Sequence, residues 1–580
     1  MRSLWLVFSL AGYIFAGGIA AQTTPKARVA RIEPKALSVH PFTGQRGATF
    51  VMAVRGNGLR EATGVFLDDS PLKLTIEGTE AEPPSESTAK SKVPFDLVRL
   101  RVETAPDVAP GRYLFRLVTP HGVSNALPLH ITEYPIASEP KGAHETPEAA
   151  VAVDKFPVVF NGGIFRRGES DYYAFHAAAG QMVTFEAISG LPSIGGPGGN
   201  ARGFDPSLSV YEPSGSWFDP KRLNRIAFND EPLWVSGRLT DAHLVHKFEK
   251  TGRYLLRVEA FSGQGGPDYS YHLKILPGIA PQDVEPAAGD WNERGFQRRL
   301  SADRLNELAA RGGKPRNKKS VETYRAAAVP AAEAGAFKLP GTLEGSLGQP
   351  GEAHRARFQL DGPQDIAIEV ETPATAPPLF NPVVRLLDTA GQEVATNVFV
   401  GVGDCSGEMS KSLQAKTIIP LRDAGGYTVE IRDTTSDLAE PGFRYRVQVR
   451  PQIPHVGQIS IDVDHVNLVP GDAQMVRVIF DREEDYRGAI AVTAESLPPG
   501  VQASAGADFE PDKDPPRFPG KRERYTARTE RTVVVFTADA DAAPTAHPWI
   551  ARLAVRPIVD GKPGEILETK QIPMMVVAKP

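Results

Sequence analysis

Asp171, Asp205, Asn229, Asp230 and Glu231 are the side chains of this sequence whose types and spacing best suit chemistry. Each lies in or beside a stretch that reads as a turn, and each offers an oxygen. Hard cations prefer carboxylate and carbonyl oxygens gathered on flexible turns, so the expected chemistry is calcium binding. The competing expectation is that Asp205 and Asp230 only hydrogen-bond the backbone of their own turns.

Other chemistries find less support. The sequence contains no H-E-x-x-H, no G-x-S-x-G and no G-x-x-x-x-G-K-[ST]. "GVGDCSGE" (401–408) has a superficial likeness to the G-D-S-G around trypsin-like nucleophiles, with Cys405 in the place of the serine and Ser406 displaced by one. No upstream His and Asp sit in matching context, so the segment reads as a loop between strands. His243 and His246 would point to opposite faces of a strand and form a metal pair only on a helix. Trp217 falls in a strand and reads as core packing, with sugar or side-chain stacking as the alternative for it and for Trp234. Trp291 lies between modules and has the stronger claim to exposure. No catalytic residue is expected, and the chain does not read as an enzyme.

The elements that must position these groups are strands. Among 580 residues there are 54 Gly and 51 Pro, a density that excludes long uninterrupted helices. An apolar fraction of 41% suffices for packed cores, and the length implies several of them. The net charge of -5 gives no reason to expect nucleic acid as a partner. Residues 1–21 carry one charge, Arg2, then the apolar run "LWLVFSLAGYIFAGGIA" and small residues at Gly18, Ala20 and Ala21. That pattern predicts a secretory signal cleaved near Ala20 to Gln22, with a retained anchor as the rival reading. Nothing later is apolar for long enough to span a bilayer, so the mature protein is expected in the periplasm or outside the cell. Cys405 is the only cysteine, so no intrachain disulfide can form and each domain must rest on its own burial. Its expected state is a small buried side chain, with a reactive thiol as the alternative.

Two stretches share one rhythm: "SDYYAFHAAAGQMVTFEA" (170–187) and "AHRARFQLDGPQDIAIEV" (353–370). In each, alternating bulky residues lead to a glycine turn and alternate again, with Phe175 and Phe358 at corresponding points. The correspondence continues in order. "FDPSLSVYEPSGSWF" answers to "FNPVVRLLDTAGQEV", "TGRYLLRVEA" to "AGGYTVEIRD", and "YSYHLKI" to "FRYRVQV". Chance hairpins would not keep order and spacing together, so one module is used twice.

The first copy, with Asp171 before its aromatic strand, "DPSLSVY", "FNDE" and "TGRYLLRVEA…YSYHLKI", resembles the bacterial pre-peptidase C-terminal (PPC) domain, a jelly-roll-like β-sandwich found beside secreted enzymes. Some domains of that family, notably in clostridial collagenases, bind calcium through an acidic, Asn-containing lead-in. The lead-in here is "SEPKGAHETPEAA", which has Glu139 and Glu145 but no Asn or Asp. The second copy carries His354 where the first has Asp171, and "NVFVG" where "FNDE" would be expected. "FTGQRGATFVMAVRGNGLREATGVFLDD" with "APGRYLFRLVTPHGVSNALPLHI" is similar to immunoglobulin-like domains of the IPT/TIG kind, and "GAIAVTAESLPPGV" to immunoglobulin-like modules of exported bacterial proteins.

The expected fold class is therefore all-β: a string of β-sandwich domains, immunoglobulin-like and jelly-roll-like, with a short helical linker. The expected order is a signal peptide (1–21), an IPT/TIG-like domain (27–133), a PPC-like sandwich (139–277), a basic linker with one helix (278–338), a second PPC-like sandwich (339–451) and a C-terminal immunoglobulin-like domain (455–578). The helix is "SADRLNELAARGG" (301–313), with Ser301 as N-cap and Gly312 at its end. Its basic surroundings suit a solvated linker or contact with an acidic polymer. "DFEPDKDPPRFPGKRER" (508–524) reads as an exposed loop. The implied role is an exported, non-catalytic protein that binds or spaces proteins or polysaccharides at the envelope. The alternative is an accessory or inactive relative of secreted peptidases, and a third possibility is a hydrolase with its site around 294–319. Calcium is the one cofactor suggested.

Overall fold

In the computed structural model the described residues are 33–67, 71–83, 94–140, 144–190, 204–213, 223–230, 241–261, 263–278, 291–292, 332–349, 351–373, 382–402, 409–413, 416–433, 444–484, 486–507 and 528–579. The signal sequence, the 301–313 helix, Cys405, Glu231, Trp217, Trp234 and the 508–524 loop lie outside them. Among the described residues the architecture is all β, with one 3-10 turn at Pro147–Ala149 and no α-helix. No helix there is long and apolar enough to cross a membrane.

The strands form because inward positions alternate with outward ones. In Asp96–Glu103 the inward set is Asp96, Val98, Leu100 and Val102. That strand lies in a four-stranded sheet that packs on a second sheet around Val54, Leu100, Phe115, Leu117 and Leu129, giving an N-terminal sandwich. At the C-terminal end, two further sheets enclose Val478, Phe480, Phe536, Leu553 and Ile572.

Between them in sequence lie two sandwiches of one topology. The first has a sheet ordered Val151–Val153, Ser170–Ala177, Gly252–Ala260, Pro206–Pro213, Leu223–Asn229. The second repeats it as Ala332–Phe337, Ala353–Leu360, Gly425–Asp433, Pro382–Leu387, Glu393–Thr396. Registers agree as well: Phe175 faces Tyr254 across its strand pair, and Phe358 faces Tyr427. In the opposite sheets Gly162 pairs with Tyr271, and Gly345 with Tyr445. One difference stands out. The first copy adds Ile136–Ser138 as a parallel strand beside Val158–Gly163, whereas Gly341–Ser346 ends its sheet among the described residues. Trp291 and Asn292 pair with Pro373 and Thr372, so this part of the linker is an edge of the second copy's sheet.

Contacts between sandwiches join chain neighbours and also the two ends of the chain. The N-terminal sandwich meets the first copy through Arg55, whose guanidinium donates to both Asp268 oxygens at 2.9 and 3.0 Å, and through Thr43 Oγ1, 2.6 Å from His272 Nδ1. It also meets the C-terminal sandwich. The Asn467 amide there accepts from the Val123 N–H at 2.9 Å and donates to its carbonyl at 2.8 Å, mimicking a strand partner. Gly122 allows this approach: its φ is +131°, and a Cβ would lie 2.4 Å from Asn467 Cγ. The second copy in turn docks on the C-terminal sandwich through Lys416 and Arg450.

Candidate functional site

Asp171 is where the sequence expectation and the structure part most usefully. It is not in a turn. It lies in strand Ser170–Ala177, on the face shared by Tyr173 and Phe175, so strand parity drives its carboxylate into the core, where it is fully buried. Burying a charge needs compensation. Tyr271 supplies part of it, donating its hydroxyl to Asp171 Oδ2 at 2.6 Å.

The lead-in segment closes over this carboxylate. Glu139 follows strand Ile136–Ser138, and its Oε1 accepts from Tyr173 and lies 2.8 Å from the Tyr271 hydroxyl. The two tyrosine hydroxyls are themselves 2.9 Å apart. Gly162 makes room for the pair, since a Cβ there would lie 2.2 Å from Glu139 Oε1 and 2.6 Å from Tyr271 Cζ. His144 is fixed through its backbone, whose carbonyl accepts from the Tyr172 N–H at 3.0 Å. Its Nε2 stands 3.4 Å from Glu139 Oε1 and 3.3 Å from Asp171 Oδ1. Burial, and then the charge of Glu139, push the Asp171 carboxyl up to about 7, against the hydrogen bond from Tyr271. Burial also raises both tyrosines well above their usual range.

Glu139 and His144 form part of the floor of a cleft of about 980 Å³ between the N-terminal sandwich and the first copy. Phe50 and His40 line it from one side, Phe165 and Arg166 from the other. Phe165 is 46% exposed and meets the His40 ring edge-on at 6.0 Å. Burial lowers the His40 imidazole, with Glu139 acting in the opposite direction. Arg166 is paired with Glu145 and lies 3.5 Å from Glu169.

Of the expected calcium set, Asp205, Asn229 and Asp230 are described elsewhere in the module, and Glu231 lies outside the described residues. Asp205 precedes strand Pro206–Pro213, and its backbone carbonyl accepts from the Phe261 N–H at 2.8 Å. Asn229 ends strand Leu223–Asn229, where its side-chain oxygen accepts from the His243 N–H at 3.0 Å. Asp230 follows it. Among the described residues, the groupings able to hold an ion are Glu139–His144–Asp171 and His455–Glu483–Glu484, which contain neither Asp205 nor Asp230. Calcium takes six to eight oxygens, and the first grouping brings two carboxylates and an imidazole, a poor fit. The second grouping already surrounds a cation. Lys416 Nζ lies 2.9 Å from Glu483, 2.6 Å from Glu484 and 3.0 Å from Glu369, so it is an ion-paired seam. His243 and His246 do lie in a strand, Ala242–Lys247, one near Glu186 and the other against the Phe248 ring.

No family model matches this sequence, and no curated protein does. Among solved structures there are weak likenesses. The pre-peptidase C-terminal domain of a collagenase from Bacillus anthracis is 15% identical, covering 21% of this chain and 98% of that one at a TM-score of 0.14. Domains 1–6 of the surface layer protein SbsC are 11% identical, covering 95% of this chain and 55% of that one at 0.15. The secreted serine protease VesC from Vibrio cholerae is 9% identical, covering 42% and 51% at 0.14.

Proposed function

We propose that this chain is an exported, non-catalytic protein of the bacterial envelope or exterior, and that it binds a protein or polysaccharide in the cleft between its N-terminal sandwich and the first repeated module. The cleft is the observation that carries this reading. Ligand sites favour concave spaces at domain boundaries, with apolar walls and a few converging polar groups. Phe50, Phe165 and Ile136 supply such walls here, and Glu139, His144 and Asn161 supply the polar groups. Export is supported by the apolar leader at residues 4–20.

A carboxyl raised to about 7 beside a cleft also invites an acid–base reading. A general acid must reach its substrate, however, and Asp171 is fully buried beneath Tyr271 and does not line the cleft. Binding without turnover is the better reading. The accessory role beside a secreted peptidase is the same reading with a protease as the bound protein.

Purified protein lacking the leader, incubated with casein, collagen and polysaccharide panels, tests the proposal. The expected result is saturable binding without turnover, weakened about tenfold by Phe165→Ala, or ~1.4 kcal/mol. Turnover of any substrate, or binding indifferent to Phe165→Ala, would overturn it.

A further inference from the structure

We propose that Glu139, His144 and Asp171 form a binding site for a borderline divalent cation of the zinc type, tying the lead-in segment to the core of the first module. The inference shares Glu139 and His144 with the cleft, but its test needs no macromolecule, so its failure is distinguishable from failure of the binding role.

The geometry carries it. A tetrahedral ion with bonds of about 2.0–2.1 Å separates its ligand atoms by about 3.3–3.4 Å. His144 Nε2 is 3.3 Å from Asp171 Oδ1 and 3.4 Å from Glu139 Oε1, and all three atoms lie within 4.8 Å of one another. A second observation is independent of that spacing. Asp171 is 0% exposed, and its Oδ1, which faces His144, accepts no hydrogen bond, although Oδ2 accepts one from Tyr271. A buried carboxylate oxygen without a donor calls for a positive charge.

The donor types choose the metal. One imidazole nitrogen and two carboxylate oxygens suit zinc and its neighbours in the first transition row, whereas calcium and magnesium require more oxygens. The tyrosines play the part expected of groups behind the ligands. The Tyr271 hydroxyl lies 2.8 Å from Glu139 Oε1 and 2.6 Å from Asp171 Oδ2, positioning both carboxylates and leaving Asp171 Oδ1 turned toward His144. Among the described residues, neither of the two comparable corners leaves this opening. In the second copy His354 occupies the Asp171 position with both ring nitrogens engaged, Nδ1 at 2.5 Å from Tyr445 OH and Nε2 at 2.6 Å from Glu352. At the other ion-capable grouping the ammonium of Lys416 fills the centre.

The test uses untagged, chelator-treated protein lacking only the leader, titrated calorimetrically with Zn²⁺ and separately with Ca²⁺. One equivalent of Zn²⁺ should bind at least about tenfold more tightly than Ca²⁺. His144→Gln, which keeps a polar side chain on the lead-in, should weaken that binding by about a hundredfold or more. Glu139→Gln should weaken it too, while His354→Gln in the second copy leaves it unchanged. Co²⁺ in place of zinc should give the intense visible bands of a tetrahedral site, absent in His144→Gln. Circular dichroism on each variant establishes that the sandwich is intact. Absence of a zinc equivalent, zinc binding that survives His144→Gln, or calcium binding as tightly as zinc would each overturn the proposal.

Discussion

The two copies of the repeated module have one topology and one register, yet they use the same corner differently. In the first, Tyr271 lies against Gly162 and holds two carboxylates, Asp171 and Glu139, beneath the lead-in. In the second, Tyr445 lies against Gly345 and meets His354, which is closed off by Glu352. A glycine beneath a tyrosine is thus a property of the scaffold. The acidic pair is a property of the first copy, which alone among the described residues has a strand, Ile136–Ser138, delivering Glu139 to that edge. The lesson is that a duplicated sandwich preserves packing pairs, while the residues facing them across the corner are free to change chemistry.

Both cores should respond alike to loss of their central aromatic, and that is the largest effect expected. Phe175 is almost fully buried among Phe185, Phe248 and Tyr254, with ring centroids 5.3 to 6.1 Å away. Phe358 stacks on Tyr427 at 5.7 Å and meets Phe337 at 5.5 Å. Truncation to alanine should cost about 3–5 kcal/mol in either copy, with Phe175→Ala toward the upper end because more rings line its cavity. Calorimetric melting should show each substitution lowering a different transition. If both lower the same one, the copies do not unfold as separate units.

The copies also dock by different physics, which acid can separate. At the first dock His130 and His272 pack against Phe42 as neutral rings. Burial, then the charges of Lys274 and Arg112, hold His130 down at about 3, with Glu186 opposing. Burial likewise carries His272 well below its usual value. A histidine depressed on folding contributes stability above its free value near 6.5, and that contribution is lost as pH falls toward 3. At the second dock burial works against the Glu484 charge, but hydrogen bonds from Arg450 and Lys416 outweigh it and bring the carboxyl down to about 2. Its contribution is present above about 4.5 and lost as pH falls toward 2, at about 3 kcal/mol for this fully buried side chain. Melting followed from pH 7 to 3 should therefore show the first dock weakening before the second. His130→Gln should flatten the earlier loss and Glu484→Gln the later one. Simultaneous loss, unaltered by either substitution, would remove the distinction. Glu484 also sits at a φ of +54°, an unusual conformation for a side chain other than Gly or Asn. The three groups its carboxylate reaches, Lys416, Arg450 and the Ile453 N–H, explain why glutamate stands there.

The parts that were legible in the sequence are those governed by alternation. Period-2 patterning marked the strands and the ordered recurrence marked the copies, because inward side chains such as Phe175 and Phe358 repeat with the pleat. The acidic corner was legible only in part. Counting Asp171 in step with Tyr173 and Phe175 would have placed it in the core, and the absence of Asn from the lead-in already argued against calcium. His144 gave no signal, since nothing local says that residues 139–144 fold back over a strand that begins at Ser170. Docking was hidden for the same reason: Asp268 and Arg55 are far apart in sequence and meet only once two finished sandwiches come together.

The smallest expected effect sharpens the comparison most. His354→Asp puts into the second copy the side chain that the first copy carries at this position. Tyr445 can donate to the new carboxylate as Tyr271 does to Asp171, so one hydrogen bond is kept. The bond to Glu352 is lost, and two carboxylates then face each other in a half-buried corner. The net cost should be about 1 kcal/mol near neutral pH, shrinking as acid protonates one of the pair. Zinc binding should not appear in the second copy, because among the described residues no strand lies beside Gly341–Ser346 to bring counterparts of Glu139 and His144. If the single substitution did create a second zinc equivalent, the lead-in would not be what distinguishes the copies, and the scaffold corner alone would suffice to bind metal.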